Sequence, residues 1–519
     1  MTHKITRRDF LRATGLTGVS LLGGQALLAC SDDESAPADT SNNTANNTAN
    51  NDPIPDAGME PDAVEDTGDP PMDADEPPQE DRWWLEDNYA PVEDDLEAFD
   101  LEVEGAIPPG LRGLYVRNGS NPSTGLSSHW FFGDGMLHGV RIEDGQARWY
   151  RSRYVQTGLL GEDGGIGAPD IRKNHGNTSI IQHAGRLLTL NEVGLPHHIN
   201  PEDLSTHGVF DFDGALQGPM TAHPKIDPAT GHMHFFGYNF FAPYLSFSSV
   251  DSSGNLIRQV DLNTPASTMM HDFQITDQHA VFMDLPILFD LQAAIGGDFP
   301  FAWRPDNGSR LGVMPLDGAG DDDVQWFEID NCFVFHTMGA FRDPDNDQRI
   351  VLLGARHADM WADGPHSFSR GANLWRWTLD LSTGQSTEEA IDDRFIEFPQ
   401  LNLSRQGLSM RYGYALGYSD NSGADSPGDP QALLKYDLST GEVQEHRFAQ
   451  GRVPGEAVFV PGGEGEDEGW LMTYVYDKAN NSSSLDIFDA TNLQAPPVAS
   501  IKLPRRVPYG FHGTWVPDA

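Results

Sequence analysis

Short apolar or alternating runs recur along most of the chain. They include Leu114-Tyr-Val-Arg, Arg186-Leu-Leu-Thr-Leu, His234-Phe-Phe-Gly-Tyr, Ala280-Val-Phe-Met-Asp, Asn331-Cys-Phe-Val-Phe, Arg349-Ile-Val-Leu-Leu and Trp470-Leu-Met-Thr-Tyr-Val-Tyr. Each has strand length and is apolar or alternating, which predicts strands. Turn signals separate them: Asp227-Pro-Ala-Thr-Gly, Asp251-Ser-Ser-Gly, Asp380-Leu-Ser-Thr-Gly and Asp437-Leu-Ser-Thr-Gly. Helical periodicity is scarce, and Pro286 to Ile295 is a stretch that could be helix. The fold class is therefore all-β. Strand–turn–strand units at this density over one long chain suit a β-propeller better than a sandwich. Seven blades of roughly 60 residues would each hold four strands and their loops, but spacing alone leaves the blade number open.

The N-terminal 81 residues have a different texture. Thr6-Arg7-Arg8-Asp9-Phe10-Leu11 is a twin-arginine pattern, followed by an apolar, glycine-containing stretch from Ala13 to Ala29 that is poorly suited to span a membrane. It ends Leu27-Leu28-Ala29-Cys30, which resembles a lipobox. Residues 1–29 are thus expected to be an export signal, with Cys30 lipidated, so that the mature protein is a periplasmic or cell-surface lipoprotein. Residues 30–81 are rich in Asn, Thr, Pro, Asp and Glu and contain no Lys or Arg. Such a segment buries too little apolar surface to offset its ordering entropy, so an extended acidic tether is expected, with the propeller spanning residues 82–519.

The formal net charge of −45 argues against nucleic acid as a partner. Beyond Cys30 the only cysteine is Cys332, so no disulfide is expected in a mature chain lipidated at Cys30. Stability must then come from a large core.

Eighteen histidines are too many to share one role. Four stand in apolar or aromatic contexts, where a neutral imidazole is favoured over a charged one: Met220-Thr-Ala-His223, Thr268-Met-Met-His271, Phe333-Val-Phe-His336 and Tyr509-Gly-Phe-His512. They lie 48, 65 and 176 residues apart, or about one, one and three blade steps, and inner strands of different blades face a common axis.

Longer motifs carry a more specific signal. They include Gly113-Leu-Tyr-Val-Arg-Asn-Gly-Ser-Asn-Pro, His129-Trp-Phe-Phe-Gly-Asp-Gly-Met-Leu-His-Gly, Leu190-Asn-Glu-Val-Gly-Leu-Pro, Pro454-Gly-Glu-Ala-Val-Phe-Val-Pro and Val507-Pro-Tyr-Gly-Phe-His-Gly-Thr-Trp. From about Tyr89 to Pro517 the chain resembles the carotenoid cleavage oxygenase family, which includes stilbenoid-cleaving dioxygenases and a retinoid isomerohydrolase. The resemblance implies a seven-bladed β-propeller with a dome of loops and short helices over the metal face. It implies Fe(II) on His223, His271, His336 and His512. It also implies that Glu192, Glu397 and Glu456 accept hydrogen bonds from three of them, which fixes tautomer and ring angle. With O2 as co-substrate, an alkene is cleaved to two carbonyl products, and no catalytic residue is needed beyond the metal site. Twin-arginine export of a folded protein would allow iron to be loaded before zinc or copper could compete.

The substrate is expected to be an apolar small molecule, a carotenoid or apocarotenoid. Trp130, Phe131, Phe240, Phe241, Phe301 and Trp303 are candidates for its tunnel, and Pro286 to Trp303 is a candidate apolar patch toward a membrane. Two departures bear on substrate. The tyrosine and lysine that hold a phenol in stilbenoid-cleaving members are missing where Ser127-Ser128-His129-Trp130 and Val155-Gln156-Thr157-Gly158-Leu159 stand. The usual Asn-Ala after the third ligand is Gly339-Ala340. Cleavage of a stilbenoid or lignin-derived alkene, polyene isomerisation, and a non-catalytic periplasmic binding propeller are the alternatives. A quinone-dependent propeller dehydrogenase lacks a supporting repeat.

Overall fold

The computed structural model describes residues 82–162, 170–296, 298–368, 371–419 and 426–518. The twin-arginine stretch, Cys30 and the acidic tether lie outside the described residues. From Arg82 onward, seven antiparallel sheets form the blades of a β-propeller.

Blade 1 is built on Gly113–Arg117, Met136–Glu143 and Gln146–Tyr154, with Leu96–Phe99 outermost. Blade 2 starts at Ser179–His183, blade 3 at Lys225–Ile226, blade 4 at Gln274–Ile275, blade 5 at Phe333–Asp343 and blade 6 at Phe395–Gln400. Each of these five has four strands in sequence order. Blade 7 begins with Arg452–Pro454 and Val458–Pro461, which both pair with Gly469–Asp477, and continues through Ser482–Asp489 and Ala499–Lys502. Its outer edge is the N-terminal strand Val103–Gly105.

The uninterrupted apolar runs have a direct cause. A blade is covered on both faces by its neighbours, so successive residues of a middle strand must both be apolar. Leu187 packs between blades 1 and 2, and Leu188 packs between blades 2 and 3. Phe235 and Phe236, Leu352 and Leu353, Leu433 and Leu434, and Leu471 and Met472 divide in the same way. Outer strands are half exposed and charged, as in Glu442–Arg447.

The recurring Asp-x-x-x-Gly signals are tight turns of one kind. In Asp227–Gly231, Asp380–Gly384 and Asp437–Gly441 the glycine N–H donates to the aspartate carbonyl at 2.8 Å, and the aspartate carboxylate accepts a second backbone N–H. The closing glycines have φ of 70°, 71° and 76°, a conformation that costs other residues a Cβ clash.

Pro286 to Ile295 is a helix only in part. Ile287–Phe289 pairs with Phe301–Trp303 as a two-stranded ribbon, and the helix is confined to Leu291–Gly296. Asp290 sets that boundary, its carboxylate accepting from the N–H groups of Gln292 and Ala293. The strand expected at Asn331 begins at Phe333.

Cys332 is sealed in the blade 4–5 core, and burial pushes its thiol up to about 12. A thiol raised that far stays protonated, and so unreactive, at pH 8. Mass spectrometry after alkylation at pH 8 is expected to find Cys332 unmodified in the native protein and fully modified in denaturant.

Candidate metal centre

Every blade delivers one polar residue toward the axis. In ring order they are His512, Glu192, His223, His271, His336, Glu397 and Glu456. His512, His223 and His271 stand just before a strand and Glu192 follows one, while in three blades the inner strand is interrupted at the polar residue. In blade 5 the register shifts between Val334 and Thr337, on either side of His336. In blade 6 it shifts between Glu397 and Gln400, and Phe398 there has a φ of 52°. In blade 7 Glu456 occupies the gap between two short strands. A bulge turns out a residue that a regular strand would leave against the neighbouring blade.

The four imidazoles converge. Each offers one ring nitrogen, and these four atoms lie within 4.8 Å of one another. Nε2 of His271 is 3.1 Å from Nε2 of His223 and 3.3 Å from Nε2 of His336. The other nitrogens are turned outward. Nδ1 of His336 is 2.6 Å from Glu397, Nδ1 of His512 is 2.7 Å from Glu456, and Nδ1 of His271 contacts Glu192. A carboxylate accepting from Nδ1–H selects the tautomer whose Nε2 lone pair faces the cluster. Three rings are set in this way, and with Nε2 of His223 the four ring nitrogens around one point form a donor set for a cation. Two nitrogens bound at right angles, each about 2.1 Å from an ion, stand about 3.0 Å apart, close to the observed spacing.

The carboxylates are themselves held. Glu397 accepts from the Phe398 N–H at 2.8 Å and bonds Nε2 of His357 at 3.1 Å. Glu456 accepts from Gln400 and from the Gly513 N–H, both at 2.7 Å. Glu192 accepts from the Tyr238 hydroxyl at 3.0 Å. Burial works against ionisation of Glu397 and Glu456, but their histidine partners more than offset it, leaving both below the usual carboxylate range. Burial holds His223 far below the ordinary histidine range, and its three imidazole neighbours add to this. Burial also lowers His336 despite Glu397, whereas for His271 the Glu192 carboxylate overcomes burial and raises it.

A second layer ties three ligand strands together. Asp272 is 2.7 Å from Lys225 Nζ and accepts from both the N–H and the hydroxyl of Thr337. It thereby joins the residues just after His223, His271 and His336. Gln274 donates to Thr337 at 2.9 Å, and Gln406 donates to Gln274 at 2.6 Å.

The sequence matches the family described as "Retinal pigment epithelial membrane protein" over residues 89–517. A carotenoid cleavage oxygenase of Mycobacterium tuberculosis is 36% identical over 84% of this chain and 97% of its own. The chain belongs to the carotenoid cleavage oxygenase family. A carotenoid 9,10(9',10')-cleavage dioxygenase of Crocus sativus is 33% identical over 83% of this chain and 89% of its own. Among solved structures, the lignostilbene dioxygenase of Pseudomonas brassicacearum superposes with a TM-score of 0.76 at 28% identity, over 84% of this chain and 98% of that one. A variant of the Synechocystis apocarotenoid oxygenase superposes with a TM-score of 0.75 at 28% identity and the same coverage.

A cavity opens beside the imidazoles. It encloses about 1500 Å³ including its mouth, and its wall includes His271, His336 and His512. Trp130, Phe131 and Phe301 line it, joined by Phe299, Phe335 and Phe368. Phe240, Phe241 and Trp303 do not line it. Phe240 instead stacks on Phe289 at 4.3 Å, and Trp303 pairs with Ile287 in the two-stranded ribbon. Nor does Gly339 line it. A Cβ there would meet Met410 at 3.0 Å, so the change from asparagine falls on the blade 5–6 core. Of Ser127 to Trp130 only Trp130 reaches the cavity, and none of Val155 to Leu159 does. His129 supports the roof. Its Nδ1 accepts from the Phe131 N–H, its Nε2 donates to the Pro365 carbonyl, and burial lowers it to about 3.

His357, Gln400, Tyr238 and Asp272 were not identified from sequence. His357 and Gln400 lie in strand segments like many others, and only the His271-Asp272 adjacency carried a local signal. Replacing Glu397 or Glu456 by Gln keeps the shape but weakens the hold on the Nδ1–H. A loss of roughly 10- to 100-fold in metal affinity is expected, measured by chelator competition.

Proposed function

We propose that this protein uses one Fe(II), held by His223, His271, His336 and His512, with O2 to cleave a carbon–carbon double bond of an apolar polyene, a carotenoid or apocarotenoid. One observation carries this reading: outward Nδ1–carboxylate bonds aim imidazole lone pairs at one point on the wall of an aromatic cavity. Four neutral nitrogen donors suit iron and leave coordination positions open, and a ferrous ion there would supply O2 activation. A cobalt-substituted form of the Synechocystis enzyme, of the same fold at 27% identity, is consistent with a divalent ion in such a site. The net reaction places one oxygen atom on each former alkene carbon and yields two carbonyl compounds.

The residues of this chain perform binding, orientation and exclusion of water. Trp130, Phe131, Phe301 and Phe335 offer flat apolar surfaces to a conjugated chain and keep its reacting bond dry. Glu192, Glu397 and Glu456 hold the imidazole rings so that the metal need not reorganise them. No side chain is required as nucleophile, acid or base.

A second reading, cleavage of a lignin-derived stilbenoid, draws support from the fold match to the lignostilbene dioxygenase and from the tyrosines in the cavity wall. The twin-arginine pattern and the Leu27-Leu28-Ala29-Cys30 segment support export and lipid anchoring, which would bring the cavity to membrane-dissolved substrate.

Protein purified without oxygen is expected to carry near-stoichiometric iron by elemental analysis, and the His336→Ala variant to lack it. Supplied with isotopically labelled O2, the iron-loaded protein should give polyene aldehydes labelled at the new carbonyls. Zinc retained equally by both proteins, or an isomerised but uncleaved polyene, would overturn the proposal.

A further inference from the structure

Four tyrosines line the cavity, Tyr89, Tyr238, Tyr418 and Tyr509, and they differ in one respect. The Tyr238 hydroxyl donates to Glu192 at 3.0 Å and the Tyr509 hydroxyl to Asp429 at 2.8 Å. Among the described residues, the hydroxyls of Tyr89 and Tyr418 make no hydrogen bond. The fully buried hydroxyls of Tyr115 and Tyr414 also lack partners among the described residues, but they are sealed between blades, away from the cavity. Tyr89 and Tyr418 are only half-buried and belong to the cavity wall.

Their surroundings make them donors. Tyr89 closes the turn Asp87–Tyr89, packed edge-on against Tyr509 at 4.8 Å and Trp130 at 5.4 Å. Tyr418 ends the blade 6 strand Tyr412–Tyr418, next to Gly428 and Pro430 in the cavity wall. Burial raises both phenols, and Asp429 adds to this in each case, with Glu397 also acting on Tyr418. Both keep their protons throughout the physiological range. Much of the remaining wall, including Phe131, Phe301, Phe335 and Phe368, offers only hydrocarbon surface. An unsubstituted polyene would leave two phenolic O–H groups desolvated and unpaired, whereas an oxygen atom at its end would pair them.

We propose that Tyr89 and Tyr418 form a polar subsite that receives the oxygenated end group of the polyene, a ring hydroxyl or a carbonyl, and so set which double bond lies beside the four histidines. The inference rests on the cavity being a polyene site. It adds that the preferred polyene is oxygenated rather than a plain hydrocarbon.

The test compares β-carotene with its ring-hydroxylated counterpart zeaxanthin, in the same detergent micelles. Binding to the iron-loaded protein under argon is followed by quenching of tryptophan fluorescence, to which Trp130 in the cavity wall contributes. Wild type is expected to bind zeaxanthin at least about tenfold more tightly, the scale of one neutral hydrogen bond. In the Tyr89→Phe/Tyr418→Phe double variant the ratio should fall close to one. The double variant should melt with wild type, because neither hydroxyl bonds to protein among the described residues. A ratio near one in wild type, a preference that survives in the double variant, or no saturable binding of either polyene would overturn the subsite. Admitting O2 separates the two readings. Cleavage of both polyenes without preference overturns the subsite alone, and preferential binding without cleavage overturns the dioxygenase reading alone.

Discussion

Seven sheets share an axis only while the ring stays shut, and the ring is shut by the antiparallel pairing of Gly113–Arg117 with Gly513–Pro517. This joins the two ends of the propeller within blade 1 and carries His512, which directly precedes the last strand, to the axis. The crossing is tight. A Cβ on Gly119 would stand 2.7 Å from the Gly510 Cα, and a Cβ on Gly510 would stand 2.8 Å from Nε of the buried Arg117, so neither glycine admits a side chain without a shift. The buried Arg117 guanidinium donates to the Pro508 carbonyl and fixes the backbone that leads into His512. A pairing of such long sequence separation cannot form early by local contacts, so the centre is complete only when the whole chain is folded.

Around the axis two costs oppose each other. Imidazoles gathered in a buried site are expensive to protonate, and carboxylates buried beside them are expensive to ionise alone. Pairing resolves both, because each carboxylate holds an Nδ1–H and leaves Nε2 free. His223 completes the set without a carboxylate among the described residues, and burial holds it far below the ordinary histidine range. The chain can hold these groups only because three inner strands are interrupted at that level. Asp272 then ties together the three strands that carry His223, His271 and His336.

Chemistry and selectivity come from different parts of the molecule. The blades deliver donors to the axis with the rigidity of a closed ring. The segments between strands, including Trp130–Phe132, Phe299 and Phe368, together with Tyr89 from the N-terminal turn, shape the cavity above it. Loops can change without disturbing the donors, which suits one centre to many alkenes. Membership of the carotenoid cleavage oxygenase family therefore fits the centre closely, while the substrate is decided by the wall.

Local sequence determined the strands and turns, because the two-sided burial of each blade demands continuous apolar runs and each Asp-x-x-x-Gly turn demands a glycine. The spacing of His223, His271, His336 and His512 was readable as blade steps, and the family motifs pointed to Glu192, Glu397 and Glu456. Which aromatic residues reach the cavity was not readable: Phe240, Phe241 and Trp303 are as aromatic as Trp130, Phe131 and Phe301, yet they do not line it. The same holds for His357 on Glu397, the Asp272 link between three blades, and the hydroxyls of Tyr89 and Tyr418, unpaired among the described residues. These depend on bulges and on contacts between blades far apart in the chain, and a periodic pattern carries no information about which distant residues it will meet.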